Sequence, residues 1–110
     1  MTAAKMLKAL RRSKRLHLRI PVAVYGQNRT IGAFREDTAT DLVSAHGGLV
    51  ALSARVVVGE TLLVVNKATQ EEQQCRVVYL KPLDGRKKKV GFALLRSAPK
   101  FWKVDFPPTS

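Results

Sequence analysis

Two arginines near the start of the chain have the chemistry and the spacing to hold a phosphate or a guanine. Arg15 and Arg19 lie four residues apart, and Lys14 directly precedes the first of them. A guanidinium is always charged, donates paired hydrogen bonds to phosphate or to guanine O6 and N7, and stacks on bases. The sequence therefore makes Arg15 and Arg19 the principal candidate anion site, with Lys14 assisting. The alternative is a solvated basic edge.

A serine–glycine turn further along the chain offers polar contacts to the same kind of ligand. Ser44 is followed by Gly47 and Gly48. The serine hydroxyl and the backbone amides near Gly47 can bond to a base or a phosphate, and the glycines allow close approach to the backbone. The alternative is that Ser44 serves only the turn.

The sequence contains no recognisable catalytic set. It has no metal-ligand spacing, nucleophile elbow, P-loop or glycine-rich dinucleotide motif. The neighbouring acids at 36–37 and 71–72 fall in or beside predicted turns. Cys75, the single cysteine, lies in an apolar segment, where cysteine is typically an inert small hydrophobe. We therefore expect a binding protein without catalytic activity, metal or bound cofactor.

Length and composition fit one small domain with localised positive charge. The chain has 110 residues, of which 45% are hydrophobic and 25% charged, as in ordinary globular domains. The net charge is +12, with seven basic residues and no acid in 1–19 and seven basic residues against one acid in 84–103. No apolar stretch approaches the roughly 20 residues of a membrane span. We expect a cytoplasmic protein with an anionic partner.

Hydrophobic alternation predicts a small antiparallel barrel. Six short segments alternate apolar and polar side chains and are separated by turn residues, which is typical of an all-β barrel. The first predicted strand begins at Leu18, and the others cover about 33–43, 49–52, 61–65, 74–80 and 89–95. We expect a basic helix or arm over 1–13, the barrel domain over 14–106 and a tail over 107–110. A short helix is predicted near 99–103, where Trp102 and Phe106 would cover one barrel end.

The order and spacing of these motifs resemble the PilZ domain, the bacterial receptor module for the second messenger cyclic di-GMP. Residues 15–19 (RLHLR) match its Arg-x-x-x-Arg motif, and residues 44–47 (SAHG) match the Ser-x-x-Gly part of its second motif. The frame from Arg11 to Arg15 also fits the first spacing. Later segments such as 58–60 (VGE) and 90–92 (VGF) follow in the family's order. The ligand-binding residues implied by the resemblance are Lys14, Arg15, Arg19, Ser44, Gly47 and Gly48.

One position departs from the family pattern. The second motif places an acidic or amide residue two positions before the serine, where it accepts hydrogen bonds from guanine N1 and N2, and Leu42 stands there. Asp41 is adjacent, but a one-residue step along a strand points its side chain to the opposite face unless a bulge intervenes. The resemblance thus implies a complete arginine motif and an incomplete second motif.

Three functions follow from these observations. The resemblance favours a cyclic di-GMP receptor or adaptor in signalling, which changes conformation on binding and acts on an effector protein. The second is a PilZ-fold adaptor that binds no nucleotide, which Leu42 favours. The third, ranked last, is a nucleic-acid-binding small barrel. The net charge favours it, whereas the predicted placement of the aromatic residues in the core opposes it.

Overall fold

The computed structural model describes residues 15–28, 32–104 and 106, which form six β-strands. The strands are β1 (Pro21–Asn28), β2 (Gly32–Ser44), β3 (Gly47–Leu52), β4 (Thr61–Asn66), β5 (Glu72–Pro82) and β6 (Lys88–Leu94). They form a closed barrel in the order β1-β2-β3-β6-β5-β4, and every neighbouring pair is antiparallel. The predicted all-β, six-stranded antiparallel barrel is confirmed.

Side-chain alternation fills the barrel interior. Successive residues of a strand point to opposite faces, so Val22 and Val24 of β1 face inward while Tyr25 is 38% exposed. The same rule buries Val90 and Phe92 of β6 completely. The core consists of Val22, Val24, Val43, Val50, Leu52, Val56, Leu62, Val64, Cys75, Val77, Val90, Phe92, Phe101 and Trp102.

Two bulges interrupt the ladders. The pairing of β2 with β3 shifts between Thr40 and Leu42, and the pairing of β5 with β6 shifts between Val77 and Tyr79. A bulge places two residues of one strand opposite one residue of its partner and so changes which side chains share a face. The first bulge lies in the candidate site described below.

The residues before β1 continue alongside β2. Leu16 forms an isolated antiparallel bridge with Val43, and the Thr40 amide donates to the Ile20 carbonyl at 3.0 Å. Regular pairing of β1 with β2 begins only at Pro21, so the strand starts later than the predicted Leu18. The reason is local, because the Leu18 amide donates to the Leu16 carbonyl at 3.0 Å in a three-residue turn.

The prediction of a short helix near 99–103 is wrong. The Phe101 amide donates to the Ala98 carbonyl and the Lys103 amide to the Lys100 carbonyl, both at 3.0 Å, and residues 99–104 form turns and bends. Lys103 has a φ of 59°, in the left-handed region that no α-helix contains. The segment is therefore a series of tight turns.

Tertiary contacts explain why these turns replace a helix. The Asn66 side chain donates to the Phe101 carbonyl at 2.9 Å, and the Trp102 indole N–H donates to the Gly47 carbonyl at 3.1 Å. Both rings are buried, and Phe106 packs against the same core. The turns let consecutive aromatic residues enter the barrel end, as we expected for Trp102 and Phe106.

Several predictions fall on other parts of the chain. The basic helix or arm over 1–13, Lys14 and the tail over 107–110 lie outside the described residues. Within the described ranges, the structure contains no helix that is long and apolar enough to cross a membrane.

Candidate functional site

Arg15 and Arg19 share the outer face of the segment that precedes β1. Residues 15–20 alternate regularly between exposed and half-buried, and Arg15, His17 and Arg19 are the exposed ones. The half-buried residues pack against the core: Leu16, Leu18 and Ile20. These apolar anchors hold the segment on the barrel. They therefore direct both guanidinium groups outward, with His17 between them.

The turn at His17 brings the two arginines closer together. Four residues of fully extended chain would separate their Cα atoms by about 13 Å. The hydrogen bond from the Leu18 amide to the Leu16 carbonyl makes the segment shorter than that. Two guanidinium groups at this spacing can contact different parts of one compact dianion.

The bridge between Leu16 and Val43 sets the segment against β2. Their backbones exchange two hydrogen bonds, each 2.9 Å long. In an antiparallel pair the flanking residues face each other in register, so Arg15 lies opposite Ser44. The first arginine of one motif and the serine of the other therefore occupy adjacent positions on the barrel wall.

The bulge in β2 brings Asp41 to the outer face beside Leu42. Thr40 and Val43 are both 0% exposed. Regular alternation requires an odd number of residues between two buried positions, but two lie between these because the register shifts here. Asp41 and Leu42 consequently both face outward, and both are half-buried. The expectation that Asp41 faces away from Leu42 is wrong, because the bulge that would align them is present.

Ser44 closes the turn between β2 and β3. It is 3% exposed, and its Oγ accepts a hydrogen bond from the His46 amide at 3.2 Å. The alternative interpretation of Ser44 as a turn residue is therefore supported. The hydroxyl can still donate its own hydrogen, so a ligand contact by Ser44 remains a prediction.

The two glycines after the turn have different surroundings. Gly47 pairs with Ser44 and its carbonyl accepts the Trp102 indole hydrogen. At Gly48 a Cβ atom would lie 3.0 Å from Phe92 Cζ and 3.1 Å from the Leu42 carbonyl oxygen. Packing alone therefore accounts for glycine at position 48. Gly47 lies directly opposite Ser44 in the β2–β3 pairing.

The outer face of this site carries two cations and one carboxylate. Arg15, Arg19 and Asp41 form no ion pair or side-chain hydrogen bond with any other residue that the structure describes. The ion pairs that it does show lie elsewhere and join Arg35 to Asp37, Lys67 to Asp37 and Lys103 to Glu71. No described residue therefore neutralises these three charges directly.

Cys75, the single cysteine of the chain, is buried in the barrel core. Burial raises the pKa of the Cys75 thiol to about 12, so the thiol stays protonated at neutral pH. Its Sγ lies 3.4 Å from the Gln73 carbonyl oxygen, to which it donates. Across the described part of the chain, no three His, Cys, Asp or Glu side chains form a group that could hold a metal ion.

The Leu16–Val43 bridge sets the arginine segment beside the Ser44 end of β2, and the register shift turns Asp41 to the outer face. No local feature of the sequence identifies Asp41, since a bulge appears only in the pairing of two strands. Comparison of the chain with protein-family models, curated proteins and solved structures gave no significant match.

Proposed function

We propose that this protein is a receptor for a cyclic dinucleotide, specifically cyclic di-GMP, bound on the outer face of β2 and the segment before β1. The observation that carries the proposal is the Leu16–Val43 bridge, which aligns the arginine segment with the turn residue Ser44. The resemblance of both motifs to those of PilZ domains supplies the ligand. Its two phosphates and two guanines suit the groups on this face.

Each side chain has a distinct chemical role in the proposal. Arg15 and Arg19 bind phosphate oxygens or guanine O6 and N7 through their paired donors. Asp41 accepts hydrogen bonds from guanine N1 and N2, the role that Leu42 cannot fill. A carboxylate beside two guanidinium groups also favours guanine over adenine, because adenine offers no donor at N1 or C2.

The segment over residues 15–20 is the element that responds to the ligand. It is joined to β2 by the Leu16–Val43 bridge and by contacts to Thr40, whereas β1 is paired along its length with β2. Fewer backbone hydrogen bonds make a segment easier to displace than a paired strand. Binding through Arg15 and Arg19 shifts this segment and changes the surface presented to an effector protein.

Isothermal titration with cyclic di-GMP tests the proposal. Two charge-assisted contacts of at least about 1.5 kcal/mol each correspond to roughly a 150-fold loss of affinity in the double variant Arg15→Ala/Arg19→Ala. Both side chains are exposed, so the variant should retain its fold. Cyclic di-AMP should bind more weakly than cyclic di-GMP to the unmodified protein.

The matched control removes two charges at another place. Arg86→Ala/Lys87→Ala changes two exposed basic residues of the β5–β6 turn and should leave the affinity for cyclic di-GMP within about twofold at moderate salt. An equal loss in both double variants would indicate diffuse electrostatics. Absence of binding at millimolar ligand would overturn the receptor proposal and favour an adaptor that binds no nucleotide.

A further inference from the structure

An exposed aromatic ring lies on the outer face of β5, outside the candidate site. Tyr79 is 36% exposed and pairs with Gly91 of β6. A Cβ atom at Gly91 would lie 2.9 Å from Tyr79 Cβ and 3.5 Å from its Cδ1, so the ring base packs directly over the glycine. The missing side chain of Gly91 thus lets the ring lie against the sheet while Tyr79 stays partly exposed.

Basic side chains flank this ring on the same face. Lys81 lies two residues beyond Tyr79 on β5, about 7 Å along the strand, and it pairs with Lys89 of β6. Leu80 and Val90, the neighbours of these lysines in the two strands, point the opposite way and pack in the core. Arg76, on the other side of Tyr79, alternates with the buried Cys75 and Val77. Ring and cations therefore form one outer surface, which we call the β5–β6 face.

The charge of the β5–β6 face is not neutralised within the described chain. Residues 73–94 contain six basic residues and one acid, Asp84. None of the six joins an ion pair or a side-chain hydrogen bond with another described residue, and Arg76 Nε is buried without a partner. The pairing of Lys81 with Lys89 sets like charges opposite each other, which destabilises a sheet. An external anion would relieve this repulsion.

We infer that the β5–β6 face binds single-stranded nucleic acid. Tyr79 provides the stacking surface for a base, and Lys81, Lys89 and Arg76 contact the phosphates on either side. An exposed aromatic side chain among cations on a sheet is the arrangement by which proteins hold single strands without reading their sequence. Phosphate contacts carry no sequence information and every base has a face that can stack, so recognition is independent of sequence.

The chemistry of the face favours this partner over other anionic surfaces. Tyr79 lies over Gly91, and no larger side chain of β6 stands opposite the ring, so a flat base can stack on its exposed part. An acidic protein surface would neutralise the lysines, but it would offer the Tyr79 ring no planar group to stack on. An anionic membrane would draw instead on the exposed valines of the β3–β4 loop, Val57 and Val58, which are 64% and 48% exposed.

Fluorescence anisotropy with a labelled 12-nucleotide oligothymidine tests the inference. Thymine lacks the guanine edge that the cyclic di-GMP site would read, so the probe reports on stacking and charge alone. Tyr79→Leu keeps an apolar side chain over Gly91 but removes the ring, and it should weaken binding by between about fivefold and about 150-fold. Tyr79→Phe keeps the ring and should bind as the unmodified protein does.

The variants that remove charge should change the salt dependence of oligonucleotide binding. Lys81→Gln/Lys89→Gln removes two phosphate contacts and should reduce the slope of log affinity against log salt by about 1.4. Tyr79→Leu should leave that slope unchanged. The matched control, Arg96→Gln/Lys100→Gln, removes two exposed charges beyond the end of β6 and should change the slope by much less.

The outcomes separate this inference from the proposed receptor function. Lys81→Gln/Lys89→Gln should still bind cyclic di-GMP normally, and Arg15→Ala/Arg19→Ala should bind oligothymidine no worse than the Arg96→Gln/Lys100→Gln control. Failure of the oligonucleotide to bind at 50 mM salt overturns the inference, as does equal loss in the β5–β6 and control variants. Binding to phosphatidylserine vesicles without oligonucleotide binding, lost in Val57→Ser/Val58→Ser, would overturn the inference and assign a membrane contact to the β3–β4 loop.

Discussion

Leu16 and Val43 exchange two backbone hydrogen bonds of 2.9 Å, and this bridge determines which residues of the two motifs become neighbours. It lies beyond the end of regular β1–β2 pairing at Pro21. Together with the contacts of Leu18 and Ile20 to Thr40, it sets the register of the arginine segment on β2. With it, Arg15 lies opposite Ser44, and the exposed face of the segment continues into that of the barrel.

Asp41→Ala should weaken binding of cyclic di-GMP by roughly five- to 150-fold, because guanine donors would lose an acceptor worth about 1–3 kcal/mol. The bulge is the reason, since it turns Asp41 outward beside Leu42. Titration calorimetry measures the change. Asp37→Ala is a matched acidic control, since Asp37 pairs with Arg35 and Lys67 instead. Equal affinity of Asp41→Ala and the unmodified protein would show that Asp41 does not contact the ligand.

Leu42→Asn should tighten binding of the same ligand. The amide adds an acceptor at the position where the family motif has one, and it adds no negative charge near the phosphates. The same titration compares this variant with Leu42→Ala, which removes the apolar side chain without adding an acceptor. Tightening in both variants would mean that Leu42 obstructs the ligand, and tightening in neither would locate the guanine edge away from position 42.

Thr40→Val should loosen the arginine segment. Thr40 Oγ1 donates to the Leu18 carbonyl at 2.6 Å and accepts from the Ile20 amide at 2.9 Å. Valine has the same shape but leaves both backbone groups unpaired, which costs about 1–3 kcal/mol for a buried group. Urea denaturation gives the loss of stability, and hydrogen exchange at Ile20 gives the local opening.

Thr38→Val is the matched control for this change. Thr38 lies two residues earlier on β2, and its hydroxyl donates to the Ala51 carbonyl at 2.9 Å, so it anchors β3. This variant should lose stability without faster exchange at Ile20. If both variants accelerate exchange at Ile20 equally, Thr40 has no special role in holding the segment.

Gly48→Ala should destabilise the barrel by about 1–3 kcal/mol, as overpacking of a core does. Its methyl group would lie 3.0 Å from Phe92 Cζ and 3.3 Å from Trp102 Cζ2. The measurement is the free energy of unfolding in urea. In a Phe92→Leu background, which makes room at the first contact, the same substitution should cost less. An equal cost in both backgrounds would contradict the packing account.

Cys75 should make stability depend on alkaline pH. Burial raises the pKa of its thiol from 9.0 to about 12, so above pH 9 the unfolded chain releases a proton that the folded protein retains. The contribution to stability is complete below about pH 9 and is lost as the pH rises toward about 12. Between pH 8 and pH 10 the unmodified protein should lose about 1.4 kcal/mol more than Cys75→Ala. Equal losses in urea denaturation would show that the thiol ionises in the folded state.

The strands and most of the core could be predicted from the sequence. The alternation of Val22, Val24 and their neighbours fixes one buried face per strand, because a strand has a period of two wherever it pairs. Turn residues then separate six such segments. The same local rules predicted a helix near 99–103, where the Asn66 and Gly47 contacts to Phe101 and Trp102 favour turns. A five-residue segment has too little helical stability of its own to resist such contacts.

The sequence by itself determined the residue types of the site, namely paired arginines and a serine–glycine turn. Only the tertiary structure decided which side chains share a face with them. Asp41 faces outward because the register of β2 shifts against β3, and Tyr79 faces outward after a second shift, between Val77 and Tyr79, in the pairing of β5 with β6. Both features depend on pairing between residues that are distant in sequence. Such pairing is set when the whole barrel closes, and no local pattern in the sequence predicts it.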